Sequence, residues 1–394
     1  MNFSFFYFNS RLFFSCLLFV IGYIANAQEE ETGSTQEILL IGDTGYSPAY
    51  GKSIGLQALQ QYVRQNDTKD VHLVFLGDNI YPKGMPDRND ERRADAERRI
   101  DNQIDIVKEF EGKVTFIPGN HDYYGGGLPA VKRQEEYIDD NYDQKDKWLP
   151  EPGCALDGKD IGDNVYLITV DTQWFLSDWD KSPMMNKGCH ELQTREEFFT
   201  EFSTEVKKNQ NKTVIVAVHH PLLSNGKHGG KFPLKSHFFP AGDNIPLPGL
   251  GSLAVLLRSN GASVQDVNNG KYQQMADRMM AIAKKWDRVV FTSGHEHNLQ
   301  YIEEDGIKHI VSGAGSKNSY VTKGRNGKFA VSKQGFARMK VKSDGSSSVD
   351  FFTLENGSLT QLASESVYEP LEEFDTTDLP TEFEQTTKTT IYDE

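Results

Sequence analysis

The chain is poor in cysteine: 394 residues hold only Cys16, Cys154 and Cys189, which leaves no thiolate cluster for a metal. Clustered Lys and Arg are missing too. The formal charge is −15, and residues 365–394 alone hold ten Asp or Glu and one Lys, so the rest of the chain is only mildly acidic. Without a basic stripe there is no electrostatic footprint for a nucleic-acid backbone, so nucleic acid is not an expected partner. Internal repeats are absent, which argues against a repeat array. Long apolar runs are absent with one exception, residues 12–24, preceded by Arg11 and followed by Ala25-Asn26-Ala27. That pattern predicts a signal peptide over residues 1–27 with cleavage before Gln28, because the run is shorter than the roughly 20 residues of a spanning helix. The mature chain is then expected to be exported without a membrane span, with periplasmic, cell-surface and secreted destinations all open. In such a compartment Cys154 and Cys189 can form a bridge worth about 3–4 kcal/mol by restricting the unfolded chain, or stay as two thiols.

What the chain does have is five short, β-branched apolar runs, at residues 37–41, 71–76, 114–117, 213–218 and 288–292, each of strand length. Each ends in side chains that bind metals: Gly42-Asp43-Thr44-Gly45, Gly77-Asp78-Asn79-Ile80-Tyr81, Gly119-Asn120-His121-Asp122, Val218-His219-His220 and Gly294-His295-Glu296-His297-Asn298. Helical patterns separate most of the runs, which predicts largely parallel strands with the clusters gathered at one edge of the sheet. Alternate side chains of an extended segment share a face, so His295 and His297 can serve adjacent metals while Glu296 points elsewhere. By the same geometry only one of His219 and His220 can face the centre. Carboxylates, an amide oxygen, a phenolate and imidazoles suit iron, manganese or zinc, and the Tyr81 phenolate favours a trivalent ion.

Around the clusters, residues 28–36 read as a polar leader and 37–354 as the catalytic domain, with helices at 53–65, 90–110 and 128–142. Residues 226–270 form an insertion rich in Gly, Pro and Asn, in which Pro233, Pro240, Pro246 and Pro248 should break any regular element; loops of this length serve as lids or substrate-binding elements. Runs at 299–304, 307–312, 335–341 and 347–352 read as successive strands completing a second sheet. Residues 355–394 lose apolar periodicity and read as an acidic, disordered tail or linker. Asp171 reads as a turn or cap, Trp174 and Trp179 as packing, and residues 317–320 as candidate pocket wall.

The five clusters, in this order, resemble the motifs of the purple acid phosphatases, a branch of the calcineurin-like metallophosphoesterases, with the nearest likeness to the small tartrate-resistant type. The likeness spans about residues 37–320. It implies an α/β fold, a four-layer α-β-β-α sandwich with two packed mixed sheets. It also implies a ferric site held by Asp43, Asp78, Tyr81 and His297, and a divalent site (iron, zinc or manganese) held by Asp78, Asn120, His219 and His295, with Asp78 bridging the two. His121 then matches the family's substrate-binding and proton-donating histidine with Asp122 orienting it, and His228 matches a second histidine after the fourth motif. Glu296 departs from the Asp of the small type, Lys227 stands where an acidic residue is expected, and the insertion after His228 is extra.

The implied activity is acid phosphatase action on phosphate monoesters, a metal-held hydroxide attacking and His121 assisting the leaving group. Such a centre, with Asp43, Asp78 and Tyr81 ionised, carries a net charge of about +2 and attracts phosphate despite the acidic chain. Small phosphorylated molecules are the expected substrates, with phosphoproteins and nucleotides among them. Two other readings stand beside it: a phosphodiesterase or nucleotide-cleaving enzyme with two divalent metals, and a non-catalytic metal-binding surface module.

Overall fold

The first strand, β1 (Thr35–Ile41), is apolar in both registers: Leu39 and Ile41 belong to one core, Ile38 and Leu40 to another, and all four are fully buried. A strand of this kind needs cover on both sides. The structure, a computed structural model describing residues 34–177, 189, 192–239 and 246–371, supplies that cover with two packed mixed sheets between helical layers. One sheet has the order β13 (Ser358–Tyr368), β12 (Ser347–Glu355), β11 (Phe336–Lys342), β1, β2 (Val71–Phe75), β3 (Lys113–Phe116). Within it β1 to β3 run parallel, and β11 to β13 are antiparallel. The other has the order β10 (Gly327–Val331), β8 (Leu299–Glu304), β9 (Ile307–Ser312), β7 (Val289–Ser293), β6 (Thr213–Val218), β5 (Val165–Val170), β4 (Leu156–Gly162). Its centre, β5, β6, β7 and β9, is parallel.

Ile38, Leu40, Val74, Ile215, Val290 and Met339, drawn from both sheets, form the apolar layer between them. The outer core joins the sheets to helices α1 (Ile54–Gln65), α2 (Arg93–Val107), α4 (Leu128–Asn141), α6 (Arg195–Lys208) and α8 (Gly270–Ala283) through residues such as Leu59, Ile104, Ile138, Phe198 and Met275. Helix α1 starts where expected because the Ser53 hydroxyl accepts the Leu56 N–H at 3.3 Å, one of the orphan donors of a helix start. Three further helices lie among the described residues: the short α3 (Asn120–Tyr123) and α5 (Thr172–Leu176), and α7 (Pro248–Ser259). Asp171 is the cap of α5, accepting the Trp174 N–H at 2.9 Å, and Trp174 is fully buried.

Four expectations are corrected. The five cluster-bearing strands do not share one sheet: β1, β2 and β3 lie in one, β6 and β7 in the other. The later strands do not make up a sheet of their own but divide, β8 to β10 joining β6 and β7 while β11 to β13 extend the sheet of β1. The insertion 226–270 is not free of regular structure, since it holds a 3₁₀ turn (Leu234–His237) and α7. The tail expected from residue 355 begins with β13, which pairs along β12 and fixes Tyr368 Oη to the Val289 carbonyl at 2.8 Å.

Cys154 and Cys189 are free thiols that line one cavity. The expected signal peptide, most of the leader, Trp179 and residues 372–394 lie outside the described residues. Among those described, no helix is long and apolar enough to cross a membrane.

Candidate metal centre

Strands β1, β2 and β7 each run into a glycine and then a non-glycine residue with positive φ: Asp43 at 58°, Asp78 at 54° and His295 at 65°. Such angles cost roughly 1–2 kcal/mol each and persist where the surroundings fix them. They turn each chain sharply at its strand end and aim the side chain across the gap between the sheets. Gly294 permits the approach, since a β-carbon there would lie 2.7 Å from Asp43 Oδ2.

Two groups of donors result, and they share Asp78. In the first, Tyr81 Oη lies 2.8 Å from Asp43 Oδ1, 2.7 Å from Asp78 Oδ2 and 3.1 Å from His297 Nε2, with His297 Nε2 3.4 Å from Asp43 Oδ1. One hydroxyl proton thus serves three acceptors. In the second, His219 Nδ1 donates to the Leu76 carbonyl at 2.8 Å, so its Nε2 turns toward Asn120 Oδ1 at 3.0 Å and Asp78 Oδ1 at 3.3 Å. His295 Nε2 likewise donates to the Gln265 carbonyl at 3.1 Å, leaving Nδ1 to face the same Asn120 oxygen at 3.1 Å. Asn120 Nδ2 is engaged with Tyr124 Oη at 2.9 Å. Ring lone pairs and oxygens therefore converge with too few protons between them, an arrangement that a cation relieves.

The electrostatics agree. Asp43, Asp78 and His219 are almost wholly buried. Burial alone would lower the pKa of His219, but the Asp78 charge outweighs it and raises the imidazole to about 9. Burial likewise works against the Asp78 carboxylate, and His219 overrides it, holding the group well below the usual carboxylate range. Tyr81 is pushed far above its ordinary value by burial and then by Asp43 and Asp78. The pocket draws positive charge. His219, His220 and His295 form one candidate metal-ligand group, and Asp43, Asp78 and His219 another. His220 is otherwise occupied, its Nδ1 2.7 Å from Thr172 Oγ1 and its Nε2 2.5 Å from Gln265 Oε1. The residues present thus fit metal ions through Asp43, Asp78, Tyr81, Asn120, His219, His295 and His297.

His121 stands at the rim, its ring 4.2 Å from that of Tyr81, and donates from Nδ1 to the Pro82 carbonyl at 2.7 Å. Asp122 does not orient it. Helix α3 is a single turn, which swings Asp122 back toward the strand ends, where its carboxylate accepts the N–H groups of Gly119 at 2.8 Å, Asn79 at 3.0 Å and Ile80 at 3.1 Å. His228 lies against His295 with ring centroids 4.1 Å apart, and its Nδ1 meets Asp266 Oδ1 at 3.0 Å. Arg258 Nη2 donates to the same oxygen at 2.8 Å. Glu296 Oε1 accepts from Ser224 Oγ at 2.6 Å and from the His228 N–H at 2.7 Å, so it pins the loop that carries His228.

Asp266, Arg258 and Gln265 were not singled out from the sequence. They lie some 30 to 40 residues from the motif they serve, inside the insertion, where no local pattern marks them. Lys317, a candidate for the pocket wall, places its Nζ 3.4 Å from the Tyr81 ring centroid.

A family model described as calcineurin-like phosphoesterase matches residues 37–313. No curated protein matches. Among solved structures the chain is similar to PhoD, with 12% identity over 84% of this chain and 69% of that one, at a TM-score of 0.52. It is also similar to GAP50, the anchor in the inner membrane complex of Plasmodium, with 14% identity over 85% of this chain and 90% of that one, at a TM-score of 0.51. At such identities the likeness is one of fold.

Proposed function

The chain belongs to the calcineurin-like phosphoesterase family, and from that premise we propose that it hydrolyses phosphate monoesters at a pair of metal ions sharing Asp78. The observation that carries this reading is the meeting of seven donor side chains in two groups around one carboxylate. Tyr81 in the first group supports Fe(III) there, held with Asp43, Asp78 and His297. Asp78, Asn120, His219 and His295 hold the divalent ion, which is iron, zinc or manganese. The pattern of residues 1–27 supports export of the chain.

When bound, the ions supply a Lewis acid for a phosphoryl oxygen and lower the pKa of water. The rest falls to the chain. With His121 Nδ1–H committed to the Pro82 carbonyl, the imidazolium form of the ring has its Nε2–H left to give to the departing oxygen. His228, with Nδ1 held by Asp266, offers its own Nε2 to a phosphoryl oxygen. Asn120, fixed by Tyr124, keeps its carbonyl oxygen turned into the site.

The test is release of phosphate from an aryl monoester and from the matching diester, by metal-loaded wild type and Asn120→Ala. Faster monoester turnover, reduced about 100-fold or more in the variant, is expected. Equal background release from both proteins would leave a metal-binding module, and preference for the diester would favour the phosphodiesterase. The ferric assignment has its own readout: iron-loaded protein should show a visible phenolate-to-iron band that Tyr81→Phe abolishes.

A further inference from the structure

Exposed apolar surface is concentrated in one place. Eight of the fourteen large apolar side chains exposed among the described residues lie between positions 234 and 264. Leu250, Leu253, Leu256 and Leu257 form a stripe on α7, at spacings that share one side of a helix. Leu234 and Phe238 of the preceding turn add to it, at 76% and 46% exposure. The opposite side of α7 is pressed onto that turn: a side-chain carbon on Gly251 would collide with the His237 carbonyl, and Leu247 N–H donates to the Phe238 carbonyl at 2.7 Å. The leucines thus point away from the packed side.

Charge in this segment is opposite to that of the chain. Residues 226–264 carry Lys227, Lys231, Lys235 and Arg258 against a single acid, Asp243, in a chain of net charge −15. Arg258 is committed to Asp266; Lys235 is exposed on the turn itself, and Lys231, also exposed, lines a cavity that Glu303, Glu304 and Asp305 share. A second copy of this face would bring like charges together, and a helix of twelve residues, about 18 Å long at 1.5 Å per residue, cannot span a bilayer. Leucine on one side with lysine at the border suits the plane of a membrane interface.

We propose that α7 and the 3₁₀ turn before it form a docking face for an anionic lipid bilayer, the leucines entering the acyl boundary and the lysines meeting the headgroups. The segment is bracketed by His228 and Asp266, so docking brings the membrane near the mouth of the metal centre. The docking holds whether or not that centre hydrolyses phosphate esters.

The test is flotation of the full chain with vesicles of phosphatidylcholine alone or mixed with phosphatidylglycerol, for wild type, Leu253→Glu/Leu257→Glu and Lys231→Glu/Lys235→Glu. Any contribution from the apolar residues 12–24 is common to all three proteins, so differences report on this face. Wild type should bind phosphatidylglycerol vesicles about tenfold or more tightly than neutral ones, and less tightly at high salt. Both variants should lose about tenfold or more of that binding while keeping wild-type circular dichroism and turnover of a soluble aryl phosphate. Undiminished binding by the leucine variant overturns the proposal. So does a dimer, seen by light scattering, that the leucine variant converts to monomer without any vesicle binding by wild type; that result assigns the face to a second copy.

Discussion

Asp122 sits beside His121 in the sequence, yet its three backbone N–H partners belong to the turns after β2 and β3. It ties the loop of Asp78 to the loop of Asn120. Burial, followed by the Asp78 charge, pushes its pKa up to about 7, with the Gly119 and Asn79 N–H groups opposing the rise. Asp122→Asn replaces one acceptor oxygen with an amide that opposes these donors. A loss of about 1–3 kcal/mol in urea denaturation and a lower metal content are expected, with the pH profile of residual turnover unchanged. A stable variant with a shifted profile would restore the orienting role. At this scale, the side chains that converge were legible because Asp, Asn, His and Tyr at strand ends are chemically distinctive. Hydrogen-bond partners were not, because they depend on the direction a single helical turn takes.

Strands and helices with strong apolar periodicity, such as β6 or α1, were legible to within a residue or two. Helix α7 was hidden by its prolines. Pro248 occupies its first position, where a missing N–H costs nothing and the fixed φ suits a helix, and Pro246 precedes it, so the prolines border the helix and do not break it. β13 was hidden by its polar content, which suits an edge strand with one exposed face. The insertion also answers for Lys227: the carboxylate missing beside His228 arrives from Asp266, and Arg258 of α7 braces it. Burial raises the Asp266 pKa, but hydrogen bonds from His228 and Arg258 outweigh it and hold the group below its ordinary value. Asp266→Ala should lower kcat for an aryl phosphate about 10- to 100-fold with the fold intact, and Asp266→Glu should recover part of the loss. Equal kcat in wild type and Asp266→Ala would reduce the triad of His228, Asp266 and Arg258 to packing.

The assignment of strands to sheets is a property of the whole molecule and leaves little local trace, because strands such as β1 and β6 are buried on both faces whichever sheet they join. The same complete burial leaves two histidines outside the donor set, His72 and His309, in a state with a measurable consequence. His72 meets Thr115 Oγ1 at 2.9 Å and His309 meets Ser293 Oγ at 2.9 Å. Burial lowers both to about 3, with Lys159 and Lys113 adding to the effect at His72. An unfolded chain protonates these rings below about pH 6.5, while the fold keeps them neutral. Their contribution to stability is therefore present above pH 6.5 and lost as pH falls toward 3, at up to about 1.4 kcal/mol per pH unit for each ring. Between pH 6.5 and 5.5 the pair should remove about 2 kcal/mol. Turnover at acid pH would work against this slope, and metal ions bound to the folded state alone would offset it by mass action. The measurement is urea unfolding of metal-loaded wild type and His72→Gln/His309→Gln at both pH values. The variant is less stable at pH 6.5, but its further loss on acidification should shrink by about 2 kcal/mol. An unchanged loss would mean that the folded protein binds protons at these rings as readily as the unfolded chain does.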